Sequence, residues 1–415
     1  VVVISRIFLI VNLFFIFFAF RLPVIYNSVV ISFLLLFSFQ VIKLFKSGRM
    51  AVVRPVREIG FVFSFLIFLV TIYAVFSNSY DFSRLGSVVS NIFSIFTVIL
   101  FSYTYNDCTR KANNASNKFD DLCGLIFIVM VIQSLVIIMA MFSGKILDIV
   151  QLFQSPLDSA RSESYGGVRG LSLSAAQFFP ISALFAISQV FIVRYVIRSD
   201  LKYINWFLFS LVILAGLSAG RTSLIGTVIA IGYLILNLRF SVASIFQFIK
   251  LSVLIVATLF IAYFIASSFL PNFDSYVNNY VQFAFEFYIN YAESGELTTS
   301  STNILQRMYW LPPLDTLIFG DGYYSNDLGG TYQGTDGGFM RNILFFGVFG
   351  TSVLMFLFLF LFRWIYINSG NDSKLYWLLL ILITLLHYKG DVILHLVSVN
   401  TLLFVLIITP CHRLK

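Results

Sequence analysis

Charge is what this chain has least of. Only 11% of its 415 residues are Asp, Glu, Lys or Arg, where a soluble domain carries roughly a quarter. That shortage, beside 59% hydrophobic residues and a mean hydropathy of +0.92, excludes an ordinary water-soluble protein. Cysteine is scarce too: Cys108, Cys123 and Cys411 have no CxxC spacing, so neither a disulfide framework nor a zinc site is implied. No glycine-rich phosphate cradle occurs in the short basic loops, which leave no room for a soluble catalytic domain. There are three histidines, and none lies in 271–341.

What is abundant is long apolar sequence. Runs divided by charge or by Gly and Pro lie near 4–20, 23–42, 59–76, 87–104, 122–142, 173–193, 203–219, 222–238, 251–270, 342–362, 375–388 and 392–409. A bilayer requires about 20 apolar residues per helix, and open strands would leave backbone groups unsatisfied in lipid. The expected fold is therefore all-α, a polytopic transmembrane bundle of about twelve helices forming a single integral membrane domain over 1–415. The run Ile7–Phe20 has the character of a signal-peptide core. However, Arg21-Leu-Pro is a poor cleavage site and a second apolar run follows, so a retained helix is expected. The 49 Phe and 21 Tyr suit lipid contact and interfacial anchoring.

Basic residues set the expected orientation. With the N- and C-termini inside, Lys43, Lys46, Arg49, Arg54 and Arg57 share one cytoplasmic loop. The outer side keeps Arg21, Arg84, Lys145, Arg161, Arg169, Arg221, Arg307, Arg341 and Lys389. This obeys the positive-inside rule, and it makes the net charge of +8 a topological signal rather than one for nucleic acid. Two outer loops are chemically rich, 143–172 and the long 271–341. The first half of the latter, Phe273–Tyr291, has the spacing of an amphipathic surface helix. Its second half, Gly320–Gly338, has the Gly, Asp, Asn and Tyr content of a folded turn-rich loop. Any chemistry is expected outside.

Outer arginines are the sharpest chemical signal, because topology gives no reason for them. Arg221 breaks an apolar run at Ser218-Ala-Gly-Arg-Thr-Ser223. A charge bordering hydrocarbon faces a cavity or a partner, and a guanidinium fork suits phosphate oxygens. The bland alternatives are snorkelling to the interface or pairing with a loop carboxylate. Arg161 and Arg169 flank a flexible segment ahead of a helix expected to begin near Leu171, whose N-terminus would favour an anion. Arg307 and Arg341 bound the second half of the long loop.

Three segments carry a resemblance. Arg169-Gly-Leu-Ser-Leu-Ser-Ala-Ala, the Ser218–Gly226 run with its Arg-Thr break, and Phe319-Gly-Asp-Gly-Tyr323 with Thr335-Asp-Gly-Gly-Phe339 and Phe346-Gly-Val-Phe-Gly350 are similar, in order, to segments of the O-antigen polymerase family, within the O-antigen polymerase and ligase superfamily. It covers roughly residues 150–360. The resemblance implies a GT-C-like glycosyltransferase of the bacterial inner membrane, needing no metal or cofactor and working at the periplasmic face. The polymerase moves a growing glycan from undecaprenyl pyrophosphate to a fresh lipid-linked repeat unit. It implies pyrophosphate binding by Arg161, Arg169, Arg221 and Arg307, with Arg221 also catalytic. Asp336 is the carboxylate best placed to receive the acceptor proton, although an Asp in a Gly-rich turn is more often structural. Implied partners are the lipid-linked oligosaccharide, membrane lipids and a chain-length regulator, and no nucleic acid. The lack of a histidine in 271–341 favours polymerase over ligase. A non-enzymatic flippase is the remaining alternative, although its expected related halves are not visible.

Overall fold

The computed structural model describes residues 2–22, 27–47, 54–109, 115–163, 169–199, 202–237, parts of 278–295, 299–326 and 329–411. Among these the chain is helical, and β pairing is limited to an isolated bridge between Ser325 and Thr331. Among the described residues five helices are long and apolar enough to cross a membrane: Arg54–Phe76, Ser83–Cys108, Ser116–Phe142, Phe179–Arg198 and Gly338–Asn368. Shorter apolar helices cover Ile4–Phe18, Ser28–Lys43, Tyr203–Ala219, Ser223–Asn237 and Val397–Ile408. Large side chains such as Phe61, Phe68, Phe96 and Phe356 face outward along them, as a membrane-embedded protein requires. The expected span 251–270 lies outside the described residues.

The chain forms two compact units. One comprises 1–17, 29–119 and 298–415, the other 18–28 and 120–297. In the first, helix Gly338–Asn368 packs against Arg54–Phe76, Leu314–Phe319, Ser373–Lys389 and Val397–Ile408. The last of these is buried on every side from Val399 to Ile408, polar Asn400 and Thr401 included. Polar side chains join helices inside the apolar core: Asn400 donates to Asn91 at 3.0 Å, and Asn368 donates to the Leu406 and Ile407 carbonyls at 2.9 Å each.

Charge separates to the two ends of this unit. Glu58 accepts from Arg54, Arg363 and Trp364 at one end, where Lys43 also pairs with Asp107. Arg84, Arg341 and Asp391 gather at the other. Helix Gly338–Asn368 kinks at Gly347, whose φ of +63° is open to glycine. A Cβ there would meet the Ile318 carbonyl at 2.1 Å, so the two glycine motifs Phe319–Tyr323 and Phe346–Gly350 interlock as backbone.

In the second unit, helix Phe179–Arg198 packs against both Lys202–Ala219 and Ser223–Asn237. Gly226 permits the closest approach, since a Cβ would lie 2.3 Å from the Ala186 backbone. The expected helix start near Leu171 is corrected to Phe179. The physical reason is competition for backbone groups. Gln177 donates to the Ser172 and Ser174 carbonyls at 2.8 and 2.6 Å, and Gln154 donates to those of Gly170 and Ser172. These bonds hold 170–177 as an irregular knot, and Pro180 then opens the helix. Within the expected helix Phe273–Tyr291, the described residues 278, 281, 282, 286 and 288–291 are helical, and the others lie outside the described set.

Candidate functional site

In the second unit the irregular knot brings Arg161 and Arg169 together and joins them to the break at Gly220. Arg161, in helix Pro156–Glu163, and Arg169 both set their guanidinium groups over the Phe178 ring, at 4.8 and 5.1 Å. Phe178 is the residue preceding helix Phe179–Arg198 and has a positive φ of 60°. The two cations thus lie at the residue that precedes the helix, although that helix starts later than expected. Arg169 also donates to the Ala219 carbonyl at 3.4 Å, which joins it to the break that carries Arg221. The break itself is held by Ser182, which donates to the Gly220 carbonyl at 2.8 Å. A side chain on Gly220 would press on Ser182 and approach Arg169.

Arg221 is half-buried and pairs with Glu286. Pairing with a loop carboxylate was the bland alternative, and it is realised. The arrangement is two cations, Arg161 and Arg169, on one aromatic ring, linked through Ala219 to a helix break whose own arginine is paired with a carboxylate. Such a set is matched chemically to a multiply charged anion. Arg307 and Asp336 belong to the first unit. Arg307 is exposed in the last turn of helix Ser300–Arg307, and the Asp336 side chain is exposed between buried Thr335 and Gly337. Thr335 donates to the Met308 carbonyl at 2.9 Å, so the Thr335–Phe339 motif has a structural anchor beside whatever Asp336 does.

The first unit contains a second charged constellation that sequence reasoning missed. Arg84 donates to Asp391 Oδ2 at 3.0 Å, and Tyr324 donates its hydroxyl hydrogen to the same oxygen at 2.8 Å. With that hydrogen committed, His395 Nε2, 3.0 Å from the Tyr324 hydroxyl, is the donor of the next bond. Arg84 and Arg341 approach the Tyr324 ring at 4.9 and 3.8 Å, and Arg84 also faces Phe346. His387 Nδ1 accepts from the Val392 and Ile393 amides at 3.2 and 3.3 Å, closing the turn that carries Asp391. Asp81 accepts from the Tyr324 and Ser325 amides at 2.7 and 2.8 Å.

The electrostatics follow from this geometry. Burial alone would raise the Asp391 carboxyl, but Arg84 and its neighbours hold it below the ordinary carboxylate value. Burial likewise opposes ionisation of Asp81, and hydrogen bonds from Ser83, Ser325 and Tyr324 outweigh it and lower its pKa. Burial, reinforced by Asp391, pushes the Tyr324 hydroxyl well up, so it stays a donor. The network is a clasp that fixes the Gly-rich segment onto four helix ends. Among the described residues no three His, Cys, Asp or Glu side chains gather as metal ligands.

One signal pointed to the clasp. Arg84 borders an apolar helix without topological reason, and the Lys389-Gly-Asp391 break supplies a carboxylate between two late apolar runs. An intramembrane charge needs a partner, so the two invited pairing. Comparison with known proteins adds no relative: no family model, characterised protein or solved structure matches the chain.

Proposed function

We propose that this chain is a membrane glycosyltransferase of the O-antigen polymerase type. It transfers a growing glycan from a polyprenyl diphosphate to a new lipid-linked repeat unit at the outer face of a bacterial inner membrane. The observation that carries the reading is that Arg161 and Arg169 meet over Phe178, with Arg169 bonded to Ala219 at the helix break that carries Arg221. A lipid diphosphate combines an apolar tail with a multiply charged head, and cations at the ends of apolar helices match both parts.

In this reaction the acceptor hydroxyl oxygen forms a bond to the anomeric carbon while the bond to diphosphate oxygen breaks. Negative charge grows on the departing diphosphate. Arg221 and Arg169 are assigned to balance that charge, which is worth about 10²–10³ in rate for a single well-placed donor. Arg161 is assigned to hold the head group. The hydroxyl proton leaves to water or to a carboxylate at the acceptor.

The test is genetic. A strain lacking this chain and complemented with Arg221→Ala should insert the protein normally yet make no polysaccharide ladder, while single repeat units still reach the cell surface. A full ladder would refute the role of Arg221. Loss of single units as well would move the assignment to a ligase or a flippase.

A further inference from the structure

We propose that Trp310–Phe319 is an in-plane membrane anchor, lodged in the outer boundary layer of the lipid and holding the following Gly-rich segment against the bilayer surface. The inference is independent of the glycosyltransferase reading.

The segment is short, largely apolar and exposed. Leu311 is 83% exposed, Leu314 68% and Phe319 66%. Water solvates such a cluster poorly, and exposed apolar patches of this kind mark an interaction surface. Its position within the unit identifies the occupant. Tyr309, just before it, stacks on Tyr388 at 4.5 Å and donates its hydroxyl to the Tyr388 carbonyl at 2.5 Å. Tyr388 lies in the last turn of helix Ser373–Lys389, so the segment starts at the level where that apolar helix ends.

Its far end is fixed just as firmly. Helix Leu314–Phe319 packs on helix Gly338–Asn368, with the Ile318 carbonyl against Gly347 and the Asp321 amide donating to the Leu344 carbonyl at 2.6 Å. Immediately beyond Gly347 come Val348 and Phe349, both exposed, and one helical repeat further along comes exposed Phe356. The outward apolar surface of 311–319 therefore continues the outward stripe of a helix long enough to span the bilayer. Lipid covers that stripe, and continuity extends the same cover to the segment.

Two features set the depth. Trp310, Tyr309 and Tyr388 form an aromatic group of the kind that settles at the membrane–water boundary. Asp315 is exposed in the same turn as Leu314 and must reach head groups or water. The anchor is consequently shallow, with its apolar side chains just below the head groups.

The chain has four tryptophans, so Trp206, Trp364 and Trp377 can be replaced by Phe to leave Trp310 as the reporter. The protein is then placed in phosphatidylcholine–phosphatidylglycerol vesicles carrying a nitroxide at acyl carbon 5 or carbon 12. The expected result is strong quenching by the shallow nitroxide, at least twofold weaker quenching by the deep one, and little quenching by aqueous iodide. Iodide quenching without nitroxide quenching would overturn the proposal, and so would protection from all three, which means a protein partner covers the segment. Should the triple variant fail to fold, Leu314→Cys with Cys108→Ser carries an environment-sensitive dye instead, since Cys123 and Cys411 are buried. The same two lipid probes must then quench that dye in the same order.

Discussion

Arg84 and Asp391 stand 307 positions apart in the chain and meet at 3.0 Å, with each side chain only 1% exposed. Two charges so deeply buried are costly to separate, and their partners decide what separation does. Tyr324 also bonds to Asp391, and its ring lies beside both Arg84 and Arg341. The pair therefore fixes the Gly-rich segment as well as the helices.

Removing one member should leave the other buried without its counter-charge. Arg84→Ala or Asp391→Ala is expected to cost about 3–5 kcal/mol, read as a lower thermal midpoint in detergent. The double change Arg84→Met with Asp391→Leu should recover much of that loss, because an apolar pair avoids the desolvation of two ions. Equal losses for single and double variants would contradict the clasp.

The pH dependence follows from the two depressed carboxyls. Asp81 and Asp391 both ionise more readily in the folded chain than at the ordinary carboxyl value of 3.8. Between the folded and unfolded values the unfolded chain binds more protons, so stability rises with pH in that window. Their contribution is complete above the unfolded value and is lost as pH falls below it. Thermal midpoints measured from pH 3 to 7 should therefore be flat in the upper range and drop at the acid end. Asp81→Asn should flatten part of that drop.

Glycines separate steric from conformational cost. Gly347→Ala places a Cβ 2.1 Å from the Ile318 carbonyl at a positive φ and should cost more than about 2 kcal/mol. Gly334 shares a positive φ but faces open space, so alanine there should cost only about 1 kcal/mol. Gly60, in an unobstructed helical position, should tolerate alanine or gain from it. Chemical denaturation of the three variants gives the order directly.

Glu286 distinguishes a structural ion pair from a ligand site. If the Arg221–Glu286 pair serves only stability, Arg221→Ala and Glu286→Gln should impair polysaccharide synthesis alike. If Arg221 receives a diphosphate, Glu286→Gln should retain most of the ladder, whereas Arg221→Ala removes it. Gel profiles of the two strains at matched protein levels decide.

The helical, membrane-embedded character was legible because lipid leaves a hydrophobic chain one economical backbone form and the apolar runs mark it. The proximity of Arg161 and Arg169 to the start of one helix was also legible, since both flank the segment just before it. The late start of helix Phe179–Arg198 was not legible. Gln154, Ser174 and Gln177 read as ordinary polar residues until their bonds to the knot are visible. The clasp was only half legible, for Arg84 stood out but nothing local linked it to Asp391 or Tyr324. The interlock of Gly320 with Gly347 was likewise hidden, because the motif shows the glycines and not which backbone they admit.

Arginines that receive a lipid diphosphate must bind it measurably in the absence of reaction. The direct measurement is binding of undecaprenyl diphosphate to the purified chain in lipid nanodiscs, compared with Arg169→Ala and Arg221→Ala. The expected result is saturable binding by the parent chain and at least tenfold weaker binding by each variant, with helix content unchanged by circular dichroism. Equal affinity in all three proteins would contradict it.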